Sequence, residues 1–146
     1  MSTKVQVCTF RVGQFYCGIP ISAVQEVIQS ANFTRVPLAS GAVSGLVAVR
    51  GDVLTVIDMR KVLRLDTAPP ESERVNVVVR SADEAISLWA DAVEEVIELE
   101  EDAGQDPPDT LMTEVRNVIR SVYEVGDRLL LLLDPARVTD VDTAIR

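Results

Sequence analysis

The chain contains no histidine among its 146 residues and only two cysteines, Cys8 and Cys17. Histidine is the usual general base of enzymes and the commonest transition-metal ligand, so its absence removes Ser-His and Cys-His nucleophile pairs. The seven glycines are scattered and form no phosphate-binding motif. We therefore expect a protein that is not an enzyme and that binds neither a metal nor a cofactor.

Basic residues and long apolar runs are also scarce. Fourteen Lys and Arg against 23 Asp and Glu give a net charge of −9, which repels phosphate backbones and excludes nucleic acid as an expected partner. The longest aliphatic run, residues 129–133, is far shorter than the roughly 20 residues of a membrane-spanning helix. Residues 1–4 lead into a strand-like segment without the apolar core of a signal peptide. We expect a cytoplasmic protein without direct membrane insertion.

Short β-branched segments at close spacing predict an all-β sandwich or barrel. They lie at residues 5–12, 15–19, 53–57, 75–79 and 86–89. Residues 53–57 and 129–133 do not alternate polar with apolar positions, so both faces of these strands need cover, which two packed β-layers or barrels would provide. Two polar, proline-rich segments, 66–73 and 100–109, are predicted loops.

A hairpin tip at Gly13 places both cysteines on one strand face, with Cys8 opposite Ile19 and Cys17 opposite Phe10. That face is predicted to be the core. We expect buried free thiols, with a diagonal disulfide as the alternative, because cysteine packs as a small apolar residue and the cytosol is reducing.

Three further segments carry local signals. Apolar residues spaced by three and four favour a short helix over residues 20–28. Asp58 and Asp134 each follow a strand and are predicted N-caps of short helical turns. Residues 115–122 suit either a helical turn or a strand.

Sequence echoes indicate two related β-subdomains. Residues 23–28, Ala-Val-Gln-Glu-Val-Ile, recur as Ala-Val-Glu-Glu-Val-Ile at 92–97, an offset of 69. Two further echoes, in the same order at offsets of 75 and 76, are Gly51-Asp52 with Gly126-Asp127 and residues 56–62 with 132–138. We predict one domain over 1–146 with subdomains at about 5–68 and 74–140, and this order is compatible with strand exchange between them.

One charged pair is a candidate for partner binding. Arg50 follows the strand-like residues 45–49 and precedes a glycine, and Glu26 lies on the predicted short helix. An exposed Arg and Glu contribute little to stability, whereas on the rim of an apolar groove they would orient a docked helix. Composition alone favours the first interpretation, in which the two residues are simply exposed and contribute little.

Three stretches resemble the CheW family, and the likeness covers nearly the whole chain. Residues 10–27, with their Val-Gln-Glu segment, look like the family's opening hairpin, and residues 125–134 resemble its closing hairpin. Residues 45–60 are similar to its central motif, usually Gly-x-x-Asn-Leu-Arg-Gly followed by a Pro-containing strand ending in Asp-Leu-Arg. This chain departs from the family pattern at Ala48 for Asn, Thr55 for Pro, and Ser87 and Ala92 for frequent glycines.

The resemblance implies two SH3-like five-stranded β-barrels packed on a shared apolar seam, with a few short helices. It implies an adaptor that couples the cytoplasmic tip of a chemoreceptor to the regulatory domain of the histidine kinase CheA, in receptor arrays at the inner face of the membrane. Val24, Glu26, Gly45 and Arg50 match family positions linked to this coupling, which reverses the preference and favours a docking role for Arg50 and Glu26.

Two alternatives remain open at this point. The same adaptor domain could serve an array that controls pilus or gliding motility, or another non-flagellar output. A different class is a small-ligand-binding β-barrel sensor, which would need polar groups converging in an apolar cavity.

Overall fold

β-Branched and aromatic residues at short intervals build strands along most of the chain. The structure is a computed structural model that describes residues 3–29, 32–35, 43–66, 74–81 and 83–140. The described strands are β1 (Lys4–Val12), β2 (Phe15–Pro20), β3 (Val24–Ile28), β4 (Asn32–Arg35), β5 (Val43–Val49), β6 (Asp52–Asp58), β7 (Val75–Ser81), β8 (Glu84–Ala90), β9 (Ala92–Glu100), β10 (Ile119–Val125) and β11 (Arg128–Leu133). The described helices are α1 (Met59–Val62), α2 (Thr113–Arg116) and α3 (Pro135–Thr139).

The strands form two sheets of related order. One has the order β10-β11-β2-β1-β9, and the other has the order β3-β7-β8-β6-β5-β4. We call them the five-stranded and the six-stranded barrel. The predicted all-β class of two packed SH3-like barrels is confirmed, with β4 as a sixth strand on one of them. Each barrel takes strands from both halves of the chain, and the boundaries 5–68 and 74–140 stay a prediction.

The echo at residues 23–28 and 92–97 corresponds to strands β3 and β9, which take equivalent end positions. β3 lies beside β7 in one barrel, and β9 lies beside β1 in the other. The two hairpins also match, because Val49 pairs with Asp52 and Val125 pairs with Arg128 at their turns, 76 residues apart. The Gly51 and Gly126 echo, at an offset of 75, is therefore one residue out of structural register.

Buried apolar side chains divide into a seam and two barrel interiors. Phe10, Ile57 and Leu88 belong to the seam cluster. Strand β11 serves two layers, because Leu131 and Leu133 pack into the seam and Leu130 and Leu132 pack into the five-stranded barrel. The predicted cover on both faces of residues 129–133 is confirmed for these four leucines; Leu129 is exposed.

Strand β6 follows the same plan only in part. Leu54 and Val56 pack inside the six-stranded barrel, and Ile57 packs in the seam. The expectation that residues 53–57 are covered on both faces is wrong at Val53, which is 65% exposed. The reason is that the outer face of β5 and β6 has no layer over it among the described residues.

The predicted register of the first hairpin is confirmed, with Cys8 opposite Ile19 and Phe10 opposite Cys17. Both thiols are free and buried. Burial raises the pKa of both, and for Cys17 the negative charge of Asp91 adds to the increase. Neither thiolate is available at neutral pH.

The predicted helix over residues 20–28 is wrong. A 3₁₀ turn at Ile21–Ala23 leads directly into strand β3. The ladder between β3 and β7 shifts register between Val24 and Glu26, and this β-bulge breaks the strand alternation of two. The resulting apolar spacing of three imitates a helix, which explains the error.

The other local predictions can be compared directly. Asp58 accepts a hydrogen bond from the Arg60 amide at 2.9 Å, and Asp134 accepts one from the Ala136 amide at 3.0 Å, so both N-caps are confirmed. Residues 115–122 contain the end of α2 and the start of β10. The segment 100–109 holds a 3₁₀ turn at Glu101–Ala103, and residues 67–73 lie outside the described part of the chain.

Candidate partner-binding surface

The β5–β6 hairpin turns through Arg50 and Gly51, which have φ of +50° and +87°. Positive φ at both central residues is the pattern of a type I′ turn, which matches the twist of the flanking strands. The equivalent turn of the five-stranded barrel places Gly126, with φ of +62°, where Arg50 stands. A side chain at this φ costs about 1 kcal/mol of backbone strain. The six-stranded barrel therefore carries an arginine at a position suited to glycine.

The β-bulge in β3 decides where Glu26 points. Val24 lies opposite Val79, a seam residue, whereas Glu26 lies opposite Val78, which packs inside the six-stranded barrel. Because neighbouring residues of β7 face opposite sides, Val24 and Glu26 also face opposite sides. The bulge thus directs Glu26 away from the seam and toward the end of the six-stranded barrel that carries the β5–β6 turn, which we call the barrel mouth.

Arg50 and Glu26 meet at that mouth, although three strands separate β3 from β5 in the sheet order. Arg50 Nε donates to both carboxylate oxygens of Glu26, at 3.3 and 3.2 Å, and Nη2 donates to Oε1 at 3.2 Å. These hydrogen bonds, with the charge of Glu26, raise the pKa of Arg50. The side chain of Arg50 remains 80% exposed and that of Glu26 is 21% exposed. Within the described chain Nη1 has no hydrogen-bond partner, so it can donate to another molecule.

An apolar strip lies on the outer face of the same hairpin. Leu46 pairs with Thr55 and Ala48 pairs with Val53, and the three apolar members of these pairs are exposed. The alternate residues Val47 and Leu54 face the barrel interior instead. The surface thus combines aliphatic contact area with one guanidinium at its turn.

The other two predicted site residues lie apart from the ion pair. Val24 opens β3 on the seam side and is half-buried. Gly45 is buried in β5 at a register shift, opposite Val56. Of the four predicted residues, the structure therefore brings only Arg50 and Glu26 into contact.

A second charged network, which was not predicted from sequence, is buried at the far end of β6 from the Arg50 turn. Arg74 Nη2 donates to Asp58 Oδ1 at 2.7 Å, and both side chains are 3% exposed. The guanidinium of Arg74 also lies 3.8 Å from the ring centroid of Trp89. Arg74 Nε is 3.6 Å from Asp91 Oδ1, too far for a hydrogen bond, and has no other hydrogen-bond partner.

Asp91 connects this network to the other barrel. It accepts two hydrogen bonds from Arg60, at 2.9 and 2.6 Å, and one from the Gly13 amide at 2.8 Å. Burial alone would raise the pKa of Asp91, but these donors and the charges of Arg60 and Arg74 outweigh it and lower the pKa. The network links the β1–β2 turn of one barrel to α1 and to Arg74, the residue before β7, of the other. Its sequence signal was weak because Arg74 ends a polar segment that suggests a solvated loop.

The five-stranded barrel carries its own charged cluster. The guanidinium of Arg128 stacks 3.6 Å from the Tyr16 ring centroid and donates to Glu94 Oε1 at 2.9 Å. This hydrogen bond, with the charge of Arg128, lowers the pKa of Glu94. A groove of about 290 Å³ adjoins it, lined in part by Leu111 and Leu129. The sequence offers one signal for this cluster: in the echo, Glu94 stands at the position of Gln25, so the five-stranded barrel has a carboxylate where the other barrel has an amide.

No helix in the described part of the chain is both long and apolar enough to span a membrane. The described Cys, Asp and Glu side chains form no group of three or more that is placed to hold a metal ion. The expectations of no metal, no cofactor and no catalysis stay predictions.

The fold is thus a pair of SH3-like barrels joined by an apolar seam, and the exposed candidate site is a charged hairpin turn beside an aliphatic strip. A family model for the CheW-like domain matches residues 6–142, nearly the whole chain. The chain belongs to the CheW-like domain family.

Individual relatives agree with this assignment. The chain is 28% identical to the chemotaxis protein CheW of Rhizobium meliloti over 88% of its own length and 83% of the relative's. It is 26% identical to the chemotaxis protein CheW of Treponema pallidum over 90% and 79% of the two chains. The crystal structure of the scaffolding protein TtCheW from Thermoanaerobacter tengcongensis has the same fold, with a TM-score of 0.79, 22% identity and 90% coverage of both chains. Together these similarities support a chemotaxis adaptor.

Proposed function

We propose that this chain is a non-catalytic adaptor that couples the cytoplasmic tip of a chemoreceptor to the regulatory domain of a CheA-type histidine kinase. Membership of the CheW-like family supports the class of function. The observation that carries the docking assignment is Arg50, an exposed arginine in a left-handed turn position that glycine fills in the sister barrel. The adaptor acts at the cytoplasmic face of the membrane, in a receptor array.

Folding gives little reason to keep an arginine at this turn. An exposed ion pair is worth only a small fraction of the stability of a domain, and the positive φ works against any side chain. A residue that breaks the local rule without a folding benefit marks a functional position. Arg50 is therefore assigned to docking, and Glu26 to holding its guanidinium in place.

The chemistry of the partner follows from the surface. Arg50 Nη1 donates to a carboxylate or a backbone carbonyl at the rim, and Leu46 and Val53 contact aliphatic side chains beside it. Opposite charges at the rim orient the partner and speed association, while the apolar contact provides most of the affinity. Such a partner is an amphipathic protein segment with an acidic or carbonyl acceptor at one end.

Val24 and Gly45 take supporting roles in this proposal. Val24 begins β3 on the seam side, where the two barrels meet, so its contacts respond to a partner seated between the barrels. Gly45 lacks a side chain at the β5 bulge, which lets another backbone approach closely. Neither residue carries charge, so both act through shape.

The test is the charge reversal Arg50→Glu against the matched control Arg64→Glu. Arg64 is also exposed and has φ of +59°, so the two variants change charge and backbone preference equally. Like charges at an interface cost several kcal/mol, so Arg50→Glu should weaken binding to the kinase domain or the receptor tip by about 100-fold or more. Isothermal titration measures both affinities, and circular dichroism confirms that each variant is folded.

A folded Arg50→Glu protein that binds both partners as tightly as the control does would refute the proposal. Titration against kinases from flagellar and non-flagellar arrays also decides which output the adaptor serves, because the cognate kinase should bind most tightly.

A further inference from the structure

We propose that Arg80 is a positioning residue for the docking surface, because it fixes the β-bulge in β3 that directs Glu26 at Arg50. The inference rests on the proposed docking role of Arg50 and extends it to a residue that acts on the ion pair through Gln25. It is carried by the contact between Arg80 and the bulge, and by the recurrence of that contact in the other barrel.

The bulge in β3 contains one extra residue, Gln25. Val24 pairs with Val79 and Glu26 pairs with Val78, so Gln25 has no partner of its own in the ladder. Because the extra residue of a bulge is unpaired and disrupts the ladder locally, its conformation depends on what its side chain contacts. Gln25 lies directly before Glu26, so its conformation also sets the direction of the Glu26 side chain.

Arg80 supplies that contact from the neighbouring strand β7. Its Nε and Nη2 atoms both donate to Gln25 Oε1, at 3.2 and 3.0 Å. Arg80 is exposed, and within the described part of the chain its guanidinium forms no ion pair with a carboxylate. The guanidinium therefore holds the bulge residue and does not serve a charge pair.

The same arrangement recurs at the bulge of β9 in the five-stranded barrel. Arg11 and Arg80 each follow the residue that makes the last ladder pair before the bulge. Arg11 Nη1 lies 3.8 Å from Oε2 of Glu94, which the echo at an offset of 69 makes the counterpart of Gln25. An arginine is thus directed at the bulge residue in both barrels, so the contact is a feature of the bulge and not of one isolated surface side chain.

The two barrels bind the arginine of their hairpin turn differently. In the five-stranded barrel one carboxylate, Glu94, serves both the strand residue Arg11 and the turn residue Arg128, which donates to it at 2.9 and 3.3 Å. In the six-stranded barrel a neutral amide takes the strand arginine, which leaves the next residue, Glu26, to Arg50 alone. This division lets Glu26 hold Arg50 in one orientation while the strand arginine stays on the bulge.

Without the contact to Arg80 the bulge should loosen but persist. An unbulged ladder would bring Glu26 opposite Val77, a seam residue, and would bury its charge. The hydrogen bonds that the Arg50 guanidinium makes within the described residues all go to Glu26, so a loosened bulge leaves Arg50 without a fixed orientation. A partner then has to order this side chain on binding, which weakens the complex.

The test compares Arg80→Ala with its counterpart Arg11→Ala in the full chain, since both remove one exposed arginine beside a bulge. Heteronuclear NMR follows the Nε–H signal of Arg50, and Glu26→Gln shows where this signal lies without the carboxylate. We expect Arg80→Ala to move the signal toward the Glu26→Gln position and Arg11→Ala to leave it as in the wild-type chain. Circular dichroism confirms that each variant is folded.

Titration against the kinase regulatory domain and the receptor tip adds the functional readout. Arg80→Ala should weaken binding about three- to tenfold to the partner that Arg50→Glu affects, which is the scale of one lost hydrogen bond. In a Glu26→Gln background Arg80→Ala should cause no further loss, because no carboxylate remains to be directed.

Three results would overturn the proposal: an unchanged Arg50 signal in Arg80→Ala, an equal shift in Arg11→Ala, or a loss of affinity that persists undiminished in the Glu26→Gln background. The last would mean that Arg80 contacts the partner itself. The NMR readout needs no partner, so it separates this inference from the proposed function. A shifted signal together with unchanged binding of Arg50→Glu would refute the docking role of Arg50 and support its positioning through Arg80.

Discussion

The two barrels use the same plan and differ at three positions. Both have a β-bulged end strand, a two-residue hairpin turn and an aspartate that caps a short helix. The six-stranded barrel buries its cap Asp58 beside Arg74, whereas Asp134 of the other pairs with the half-exposed Arg120 at 3.5 Å. It places Arg50 where the other has Gly126, and β4 where the other has Gln105. The shared features are those that the fold requires, and the differences at Asp58 and Arg50 are where we expect added stability and propose docking.

The largest expected contrast is between the two caps. Asparagine can still cap a helix, so Asp58→Asn and Asp134→Asn both remove charge while keeping the cap. Asp58→Asn leaves the buried Arg74 without its main counter-ion and should lower the free energy of unfolding by about 3–5 kcal/mol. Asp134→Asn should cost no more than about 1 kcal/mol. Urea unfolding of the two variants measures both, and similar losses would show that burial does not distinguish the caps.

Lower pH should also reduce the contribution of the buried network to stability more than that of the exposed ion pair on the five-stranded barrel. The pKa of Asp91 is lowered from its usual 3.8, so its ionised form stabilises the folded state above that value. This contribution is lost as the pH falls from about 5 through the folded pKa, because the unfolded chain takes up the proton first. The stability gap between wild type and Asp91→Asn should therefore shrink with falling pH.

The matched variant is Glu94→Gln, whose parent carboxylate also has a lowered pKa but pairs with the more exposed Arg128. The stability difference between wild type and Glu94→Gln should be smaller than that for Asp91→Asn, and it should shrink less as the pH falls. Denaturant titrations at several pH values measure the gaps, and a gap for Asp91→Asn that widens in acid would contradict the assignment.

A smaller effect on the free energy of unfolding is expected when an arginine replaces Gly126 in the equivalent β10–β11 turn. Gly126 has φ of +62° and open space where a Cβ would stand, so Gly126→Arg adds backbone strain without a steric clash. We expect a loss of about 1 kcal/mol in the free energy of unfolding. An unchanged denaturation midpoint would mean that arginine is unstrained in this turn, which would remove one argument for the functional role of Arg50.

Features set by local rules could be predicted from the sequence. The Gly13 turn fixed the register of the first hairpin, the echo at residues 23–28 and 92–97 matched equivalent strands, and both aspartate caps form. The bulge in β3 could not be predicted from the sequence, because one extra residue in a strand produces the apolar spacing of a helix. This bulge also decides that Glu26 faces Arg50. The resemblance named both residues, but the reason for their contact needed the structure.

The buried network could not be predicted for a different reason. Arg74 lies in a charged segment, and charged residues are exposed unless a distant partner meets them, here Asp58 from another strand. The network depends on a contact between segments far apart in the chain, which local patterns do not encode.

The central claim is that Arg50 serves docking and not folding, and Arg50→Gly tests it most directly. Glycine relieves the positive φ and removes the guanidinium, while the greater freedom of the unfolded chain offsets the relief, so the melting temperature should stay within about 3 °C. Arg64→Gly makes the same change at the other left-handed arginine and serves as the control. Titration of both variants against the kinase regulatory domain and the receptor tip should show at least about tenfold weaker binding to one partner for Arg50→Gly alone. Equal affinities for the two variants and the wild-type chain would contradict the account.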